Sequence, residues 1–419
     1  MRGSIRLSII SILIASALVS SLSSTVAATR IGSACKKVNQ VKVIQGTTLT
    51  CTKSGKKLVW KQSSASSVLP VIVSPTPSAS PSPSPSPTAE PPSTPTPSPT
   101  PSVVQVTIPQ GFEDLVENRR GIGYAAWKRI SETMQFAETR EFRLDVYVGP
   151  KTTPHFDDYK GAVGLLARAF PKRDLPPRTI AILFDYQDIE WAEQTLREKL
   201  TSEEYQRINE RERGQFILGN CDGISRCNGA RQQSVPTGLS LIAQGIAPIN
   251  PYDASAIPRL KTGMLEIHEY FHGMQRVANL NRDLGPIDWP PAWFREGGAT
   301  WIQNSVVNYK DFDAYEKFQR ITCDQECSSM TEADIIEFLS EAKGELIPAR
   351  YDRWTNYSVG SVVMEALVAI KGQDPMIGMY EEMATGIGFD ASFKKLFGIE
   401  WKEAIPILAK AISANNKKS

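Results

Sequence analysis

Two of the chain's three histidines lie close together in residues 265–274, which spell LEIHEYFHGM. His268 and His272 are four positions apart and Glu269 directly follows the first, which fits the pattern H-E-x-x-H. Residues four apart share one face of a helix, so both imidazoles can reach a single zinc ion. Glu269 is offset by about 100°, which suits proton transfer from a water molecule better than metal binding. An ordinary helix with hydrogen-bonded histidines is the alternative.

A hydrolytic zinc site also needs a third protein ligand and an open position for water. The remaining histidine, His155, lies far upstream in a predicted loop. Glu296 stands downstream in the stretch PPAWFREGGATW, where the two prolines suit the start of a helix. Glycine inside a helix is costly, so Gly297 and Gly298 predict a close approach of this helix to the histidine helix. A solvent-facing carboxylate is the alternative for Glu296.

HEYFH followed by WFREGGATW resembles the gluzincin zinc metallopeptidases, and most closely the peptidase-MA-like group of secreted bacterial proteins. The resemblance covers residues 238–375, and the family form W-x-x-E-G-x-A is matched between Trp293 and Ala299. In that superfamily two histidines and a glutamate from a second helix bind one zinc ion. The resemblance therefore implies a zincin-like domain that hydrolyses peptide bonds. It assigns His268, His272 and Glu296 as ligands of one Zn²⁺ and Glu269 as the general base.

The resemblance implies two further features of such a site. A tyrosine downstream often donates a hydrogen bond to the developing oxyanion, and the stretch TNYSVGSVVMEALV makes Tyr357 the candidate. An ordinary core tyrosine is the alternative, and Tyr351 is also near. In the resembling families an edge strand beside the zinc pairs with an extended substrate. The strand predicted at 238–246, just before the histidine helix, takes that role.

Apolar periodicity predicts the elements that hold these residues. Strands are expected at 142–149, 179–186 and 238–246, and helices at 157–170 and 188–210. From about residue 255 the pattern is helical to the end of the chain. Strands followed by helices indicate an α+β domain over residues 107–419. We expect an N-terminal mixed sheet with helices, an active-site helix and a C-terminal helical part.

Three segments precede that domain. In residues 1–28, Arg2 and Arg6 precede an apolar run, and Val26-Ala27-Ala28 suits cleavage of an export signal. The run is shorter than the roughly 20 residues of a spanning helix, although a retained anchor is the alternative. Residues 29–63 predict a small basic module of short strands. Residues 64–106 hold 13 of the chain's 29 prolines, all between positions 70 and 101, which predicts an extended, disordered linker.

The six cysteines form three pairs that are local in sequence. In an exported protein an even count favours disulfides. The alternative is a cysteine-ligated zinc site, which the wide separation of the pairs and the absence of C-x-x-C disfavour. The predicted bridges are Cys35–Cys51, Cys221–Cys227 and Cys323–Cys327.

Charge is distributed unevenly along the chain. Residues 1–89 hold ten Lys or Arg and no Asp or Glu, which leaves 37 basic against 45 acidic residues after them. The acidic main domain argues against nucleic-acid binding. The basic residues of 29–63 suit attachment to an acidic cell-wall polymer, or equally a solvated spacer. We expect a secreted metallopeptidase acting on peptides or proteins near the cell envelope. The alternative is an inactive zincin-like adhesion protein.

Overall fold

The computed structural model describes residue 38 and the ranges 41–44, 47–54, 57–62, 107–222, 226–282, 288–323 and 325–416. The predicted export signal and the predicted linker lie outside these residues. The chain divides into two compact units, residues 1–97 and 98–419. In the ranges given above, no helix combines the length and apolar character that crossing a membrane requires.

The first unit contains the short strands that the sequence predicts. Strands β1 (Val41–Ile44), β2 (Thr47–Ser54) and β3 (Lys57–Gln62) form an antiparallel sheet in that order. Cys51 lies opposite Trp60 across β2 and β3, and both side chains are buried. This pair gives the small sheet an apolar centre. Cys35, the predicted disulfide partner of Cys51, lies outside the described residues.

The second unit begins with alternating helices and strands. These elements are α1 (Ile122–Phe136), β4 (Leu144–Val148), α2 (Tyr159–Ala169), β5 (Arg178–Phe184), α3 (Ile189–Lys199), α4 (Ser202–Arg211), β6 (Ala230–Ser234) and β7 (Leu239–Gly245). The sheet order is β4-β5-β7-β6, in which the first three strands are parallel and β6 is antiparallel to β7. Parallel strands need crossover connections, and helices α2, α3 and α4 provide them.

The rest of the second unit is helical, as expected. The helices are α5 (Ala256–Lys261), α6 (Met264–Arg276), α7 (Ala292–Val307), α8 (Phe312–Thr322), α9 (Gln325–Ser329), α10 (Glu332–Glu341), α11 (Thr355–Lys371), α12 (Pro375–Ala384), α13 (Phe389–Phe397) and α14 (Trp401–Asn416). A continuous apolar core joins most of these helices to one face of the sheet. The second unit therefore has an α+β fold with a mixed sheet.

The edge of the sheet differs from the prediction. Strand β7 matches the predicted strand at 238–246, but it lies inside the sheet and every residue in it is buried. The edge position belongs to β6, whose sequence ARQQS has no apolar alternation and was therefore not predicted.

The predicted helix at 188–210 is two helices. Thr201 begins α4 through a capping box in which its side chain accepts from the Glu204 amide at 3.2 Å and its amide donates to the Glu204 carboxylate.

Gly263 sets where the histidine helix begins. It has φ +85°, and a Cβ at this position would lie 2.8 Å from the Cβ of Ala162. Glycine is the residue that adopts this left-handed conformation without penalty. Helices α5 and α6 are therefore separate. Gly273 stays inside α6, where it faces Ser240 of β7.

Two of the predicted disulfides are present. Cys221 is bonded to Cys227 and Cys323 to Cys327. The first bridge closes the loop that leads into β6, and the second lies between α8 and α9. The local pairing predicted from the sequence is confirmed for these four cysteines.

Candidate metal centre

Helix α6 presents His268 and His272 on one face, as the four-residue spacing predicts. Their Nε2 atoms are 3.1 Å apart and their rings meet edge to face, with centroids 4.7 Å apart. Burial lowers the pKa of His268 to about 4, so this imidazole is neutral at physiological pH. Neutral imidazole is the form that binds a metal.

Helix α7 brings Glu296 to the same point. Its Oε2 atom lies 3.5 Å from Nε2 of His268 and 3.2 Å from Nε2 of His272. Zinc bonds of about 2.0–2.2 Å in a tetrahedral arrangement place ligand atoms roughly 3.4 Å apart. The three separations in this group, 3.1, 3.2 and 3.5 Å, agree with that value. The three side chains therefore form a group that could hold one metal ion.

The environment of Glu296 also fits a metal ligand. Its Oε2 atom is buried and has no hydrogen-bond partner among the described residues. A buried carboxylate oxygen without a partner is costly, and such atoms are rare in folded proteins. A cation between Glu296 and the two imidazoles would satisfy it. The donor set, two imidazoles and one carboxylate, is one that zinc accepts in hydrolytic sites.

Arg295 fixes the other oxygen of Glu296. Its Nε and Nη2 atoms donate to Oε1 at 3.0 and 2.8 Å, and its guanidinium also pairs with Glu345. Although burial opposes ionisation of Glu296, the positive charge of Arg295, and that of His272 whenever it is protonated, hold the pKa of Glu296 well below the usual value. Arg295 therefore keeps Glu296 ionised and turns Oε2 toward the histidines.

Gln275 orients His272. The amide Nε2 of Gln275 donates to the carbonyl oxygen of Arg295 at 3.1 Å, so its Oε1 atom faces the imidazole. Nδ1 of His272 lies 2.8 Å from that oxygen and is therefore the nitrogen that donates. This leaves the Nε2 lone pair directed at Glu296 and His268. Such outer hydrogen bonds usually fix the tautomer and the ring plane of a metal-binding histidine.

Glu269 lies beside the group without joining it. Its side chain is buried, and burial raises its pKa to about 7. The cluster of atoms that could hold a metal contains His268, His272 and Glu296 but not Glu269. This position agrees with the offset that the sequence predicts for a general base next to the two ligands.

Tyr357, at the start of α11, contacts the group from the other side. Its ring stacks on His268 with centroids 5.8 Å apart and planes 9° apart. Burial, together with the charges of Glu296 and Glu269, raises the pKa of Tyr357 well above its usual value, so the hydroxyl remains a donor. Tyr351 lies elsewhere, where its hydroxyl donates to the carbonyl of Asp334 at 2.9 Å.

Two cavities, of about 660 and 890 Å³, meet at this group. Both are lined by His268, Glu269 and Tyr357, and both are lined by Ala230 and Arg231 of strand β6. The first cavity extends past Gln233 and the C-terminal end of α6, and the second past the Cys221–Cys227 loop. The edge strand β6 therefore runs along a cleft that passes the candidate metal centre.

All five site residues predicted from the sequence line this cleft, whereas His155 is not part of the metal group. Nε2 of His155 lies 2.7 Å from the carbonyl oxygen of Ala247. Sequence reasoning missed Gln275 and Glu345. Gln275 follows His272 by one helical turn, which is a usable signal. Glu345 is distant in sequence and has no motif around it.

The chain was compared with protein-family models, with curated proteins and with solved structures, and no match was found in any of the three. The assignment of function therefore depends on the geometry and chemistry of the cleft.

Proposed function

We propose that this protein is a secreted zinc-dependent metallopeptidase of the gluzincin type. The observation that supports this most directly is the set of three ligand atoms, 3.1–3.5 Å apart, with a buried and unpartnered Glu296 Oε2 between two imidazoles. An ion pair that only stabilised the fold would not require three ligand atoms at these mutual distances. Three protein ligands leave a fourth position for water or substrate, which distinguishes a hydrolytic site from a closed structural one.

His268, His272 and Glu296 would hold the ion. A zinc ion held by these residues would supply Lewis acidity, lowering the pKa of a water molecule and polarising a carbonyl group. Glu269 accepts the proton of the attacking water and passes it to the leaving amine nitrogen. Its burial beside the ligands shields this proton transfer from bulk solvent. Arg295 and Gln275 hold two of the ligands in place throughout.

Tyr357 donates a hydrogen bond to the oxygen of the scissile carbonyl as negative charge develops there. Its ring is held against His268, which keeps the hydroxyl near the reacting group. Strand β6 holds the substrate. The backbone groups on the free side of an edge strand can pair with an extended peptide. This role, predicted for the strand at 238–246, is assigned to β6 because β6 is the edge strand that lines the cleft.

The proposed setting follows from the N-terminal segments. A cleaved signal at 1–28 would release the chain from the membrane, and a linker at 64–106 would separate the peptidase from the basic module. That module, residues 29–63, carries only basic charges and is the candidate for attachment to an acidic wall polymer. The substrate class is a peptide or protein in extended conformation.

The test is metal analysis combined with a cleavage assay of the purified full chain. We expect about one equivalent of zinc under metal-replete conditions, and cuts in a diverse peptide mixture that a chelator abolishes and zinc restores. Glu269→Gln should keep the zinc and lose the cleavage. Tyr357→Phe should keep the zinc and lower kcat by about 100-fold.

Two results would overturn the proposal. A metal-replete chain without zinc would leave the histidines with a structural role. A chain that binds zinc but cuts no peptide would favour the inactive adhesion protein. In that case deletion of residues 29–106 should abolish attachment to the envelope.

A further inference from the structure

Two arginines in the first cavity have no carboxylate partner among the described residues. Arg276, at the C-terminal end of α6, has its guanidinium 3.8 Å from the ring centroid of Trp289. Arg211, at the end of α4, donates to the amide oxygen of Gln233 and the carbonyl oxygen of Ser234. Both arginines line the cavity beside His272. Each therefore has a neutral protein contact and a full positive charge.

The other arginines of this cavity are neutralised. Arg231 pairs with Glu212 at 2.8 Å, and Arg295 pairs with Glu296 and Glu345. These contacts engage the neighbouring carboxylates directly, and Glu345, which is paired with Arg295, acts on Arg276 only through a longer-range attraction.

The environment of Arg276 destabilises the charged form of its guanidinium. Burial, with added repulsion from Arg211 and Arg295, lowers its pKa to about 10. Stacking on Trp289 leaves the edge of the planar guanidinium available, and that edge carries the N–H donors that match a carboxylate. Tyr380 lines the same cavity, and its buried hydroxyl has no hydrogen-bond partner among the described residues. An anion bound here would gain guanidinium donors and offset the repulsion between the arginines.

The direction of β6 indicates which part of a peptide reaches this place. The strand runs from Ala230, at the second cavity, to Ser234, where Arg211 contacts the backbone. Antiparallel pairing is the slightly more stable arrangement. A peptide antiparallel to β6 enters at the Ser234 end. Its residues N-terminal to the scissile bond therefore lie in the first cavity, and its C-terminal residues lie in the second.

We propose that Arg276 and Arg211 form a carboxylate-recognition site that selects peptides with an acidic side chain on the N-terminal side of the scissile bond. This inference rests on the proposed peptidase function and specifies its substrate class. A free C-terminal carboxylate is the other source of the same chemistry. It belongs to the opposite end of an antiparallel peptide and would enter the second cavity.

The test uses extended peptides in matched pairs that differ only by Glu or Gln. One pair carries the change N-terminal to the scissile bond and a second pair carries it C-terminal, with free and amidated C-termini for each. Binding is measured with the full-length Glu269→Gln chain loaded with zinc, and cleavage is measured with the unmodified chain. Arg276→Gln and Arg276→Lys are introduced in both backgrounds. Arg129→Gln, an exposed arginine on α1, is the matched control.

We expect the Glu peptide to bind about tenfold more tightly than the Gln peptide when the change is N-terminal, as one charge-assisted contact would give. Arg276→Gln should make the two peptides equal, and Arg276→Lys should restore part of the difference. Arg129→Gln should leave the preference intact, and amidation should have no effect.

Equal binding of the Glu and Gln peptides by the unmodified site would overturn the inference. A preference that survives Arg276→Gln, or one that depends on the C-terminal position or on a free C-terminus, would also overturn it. Because binding is measured without turnover, the Glu-against-Gln comparison and its loss in Arg276→Gln test the arginine site separately from catalysis, while cleavage by the unmodified chain locates the scissile bond. Absence of cleavage of every peptide would count against the proposed function alone.

Discussion

Gly297 of α7 lies directly against Gly360 of α11. A Cβ atom built on Gly297 would be 2.2 Å from the carbonyl carbon of Gly360, and one built on Gly360 would be 2.4 Å from the carbonyl oxygen of Trp293. The two helices therefore cross with their backbones in contact. Glu296 directly precedes one glycine, and Tyr357 lies one turn before the other. This contact places the candidate metal ligand and the candidate oxyanion donor on adjoining helices.

Gly297→Ala should separate these helices. The new methyl group would meet backbone atoms, which cannot rotate away, so we expect the free energy of unfolding to fall by about 1–3 kcal/mol. Displacement of Glu296 should also weaken zinc binding. Chemical denaturation and a chelator competition measure the two effects.

Gly298→Ala is the matched control for that substitution. Its Cβ would lie 3.4 Å from the terminal methyl groups of Met364 and Met376, which can move. Replacing a helical glycine with alanine stabilises a helix by up to about 1 kcal/mol, so this variant should keep its stability and its zinc. Equal effects of the two alanines would contradict the helix contact that we describe.

The sequence identified that glycine pair, but only Gly298 faces the helix that the sequence assigned to both. We expected both glycines to bring α7 toward the histidine helix. In the structure a Cβ on Gly298 would lie 3.7 Å from the Phe271 ring of α6, an ordinary contact. The tight contact is with Gly360. Helical periodicity predicts on which side of its helix a residue lies. It does not predict which distant helix packs against that side.

The chemistry-bearing residues were predictable because their spacing carries the signal. His268, Glu269 and His272 are fixed relative to one another by one helix, and the motif around Glu296 is compact. Strand β6 was not predictable in this way. Its polar residues follow from its edge position, which depends on tertiary pairing with β7. The ion pair between Arg295 and Glu345 likewise depends on a contact between distant segments.

Arg295→Gln should weaken zinc binding without removing a ligand. The substitution removes the charge that keeps Glu296 ionised and the two hydrogen bonds that hold Oε1. Loss of such an outer contact typically costs about 10- to 100-fold in metal affinity. A chelator competition at fixed pH measures the zinc dissociation constant. Arg350→Gln, which breaks exposed pairs with Asp334 and Glu337, is the control and should leave zinc affinity unchanged. Unchanged affinity in Arg295→Gln would show that Glu296 is held by other groups.

A buried chain of polar groups joins α7, α8 and α11. Nε1 of Trp301 donates to the hydroxyl of Tyr315 at 2.8 Å, and that hydroxyl donates to Oε1 of Glu365 at 2.6 Å. Burial raises the pKa of Glu365 to about 7 despite the hydrogen bond from Tyr315. The folded protein therefore binds a proton at Glu365 that the unfolded chain has lost by that pH.

This carboxyl group should make the fold less stable as pH rises. Its contribution is fully present below its unfolded pKa of about 4.5 and is lost as pH approaches 7, since the folded state binds more protons in that window. The free energy of unfolding that Glu365 loses across this pH range is about 3 kcal/mol. Glu365→Gln keeps an acceptor for Tyr315 but cannot ionise, so the free energy of unfolding should fall less steeply between pH 5 and 7. Some slope should remain, because burial also raises the pKa of Glu266 and that of Glu269 to about 7. Urea denaturation across this range measures the slope, with the exposed Glu132→Gln as control. An unchanged slope in Glu365→Gln would show that Glu365 is already ionised at pH 5 in the folded protein.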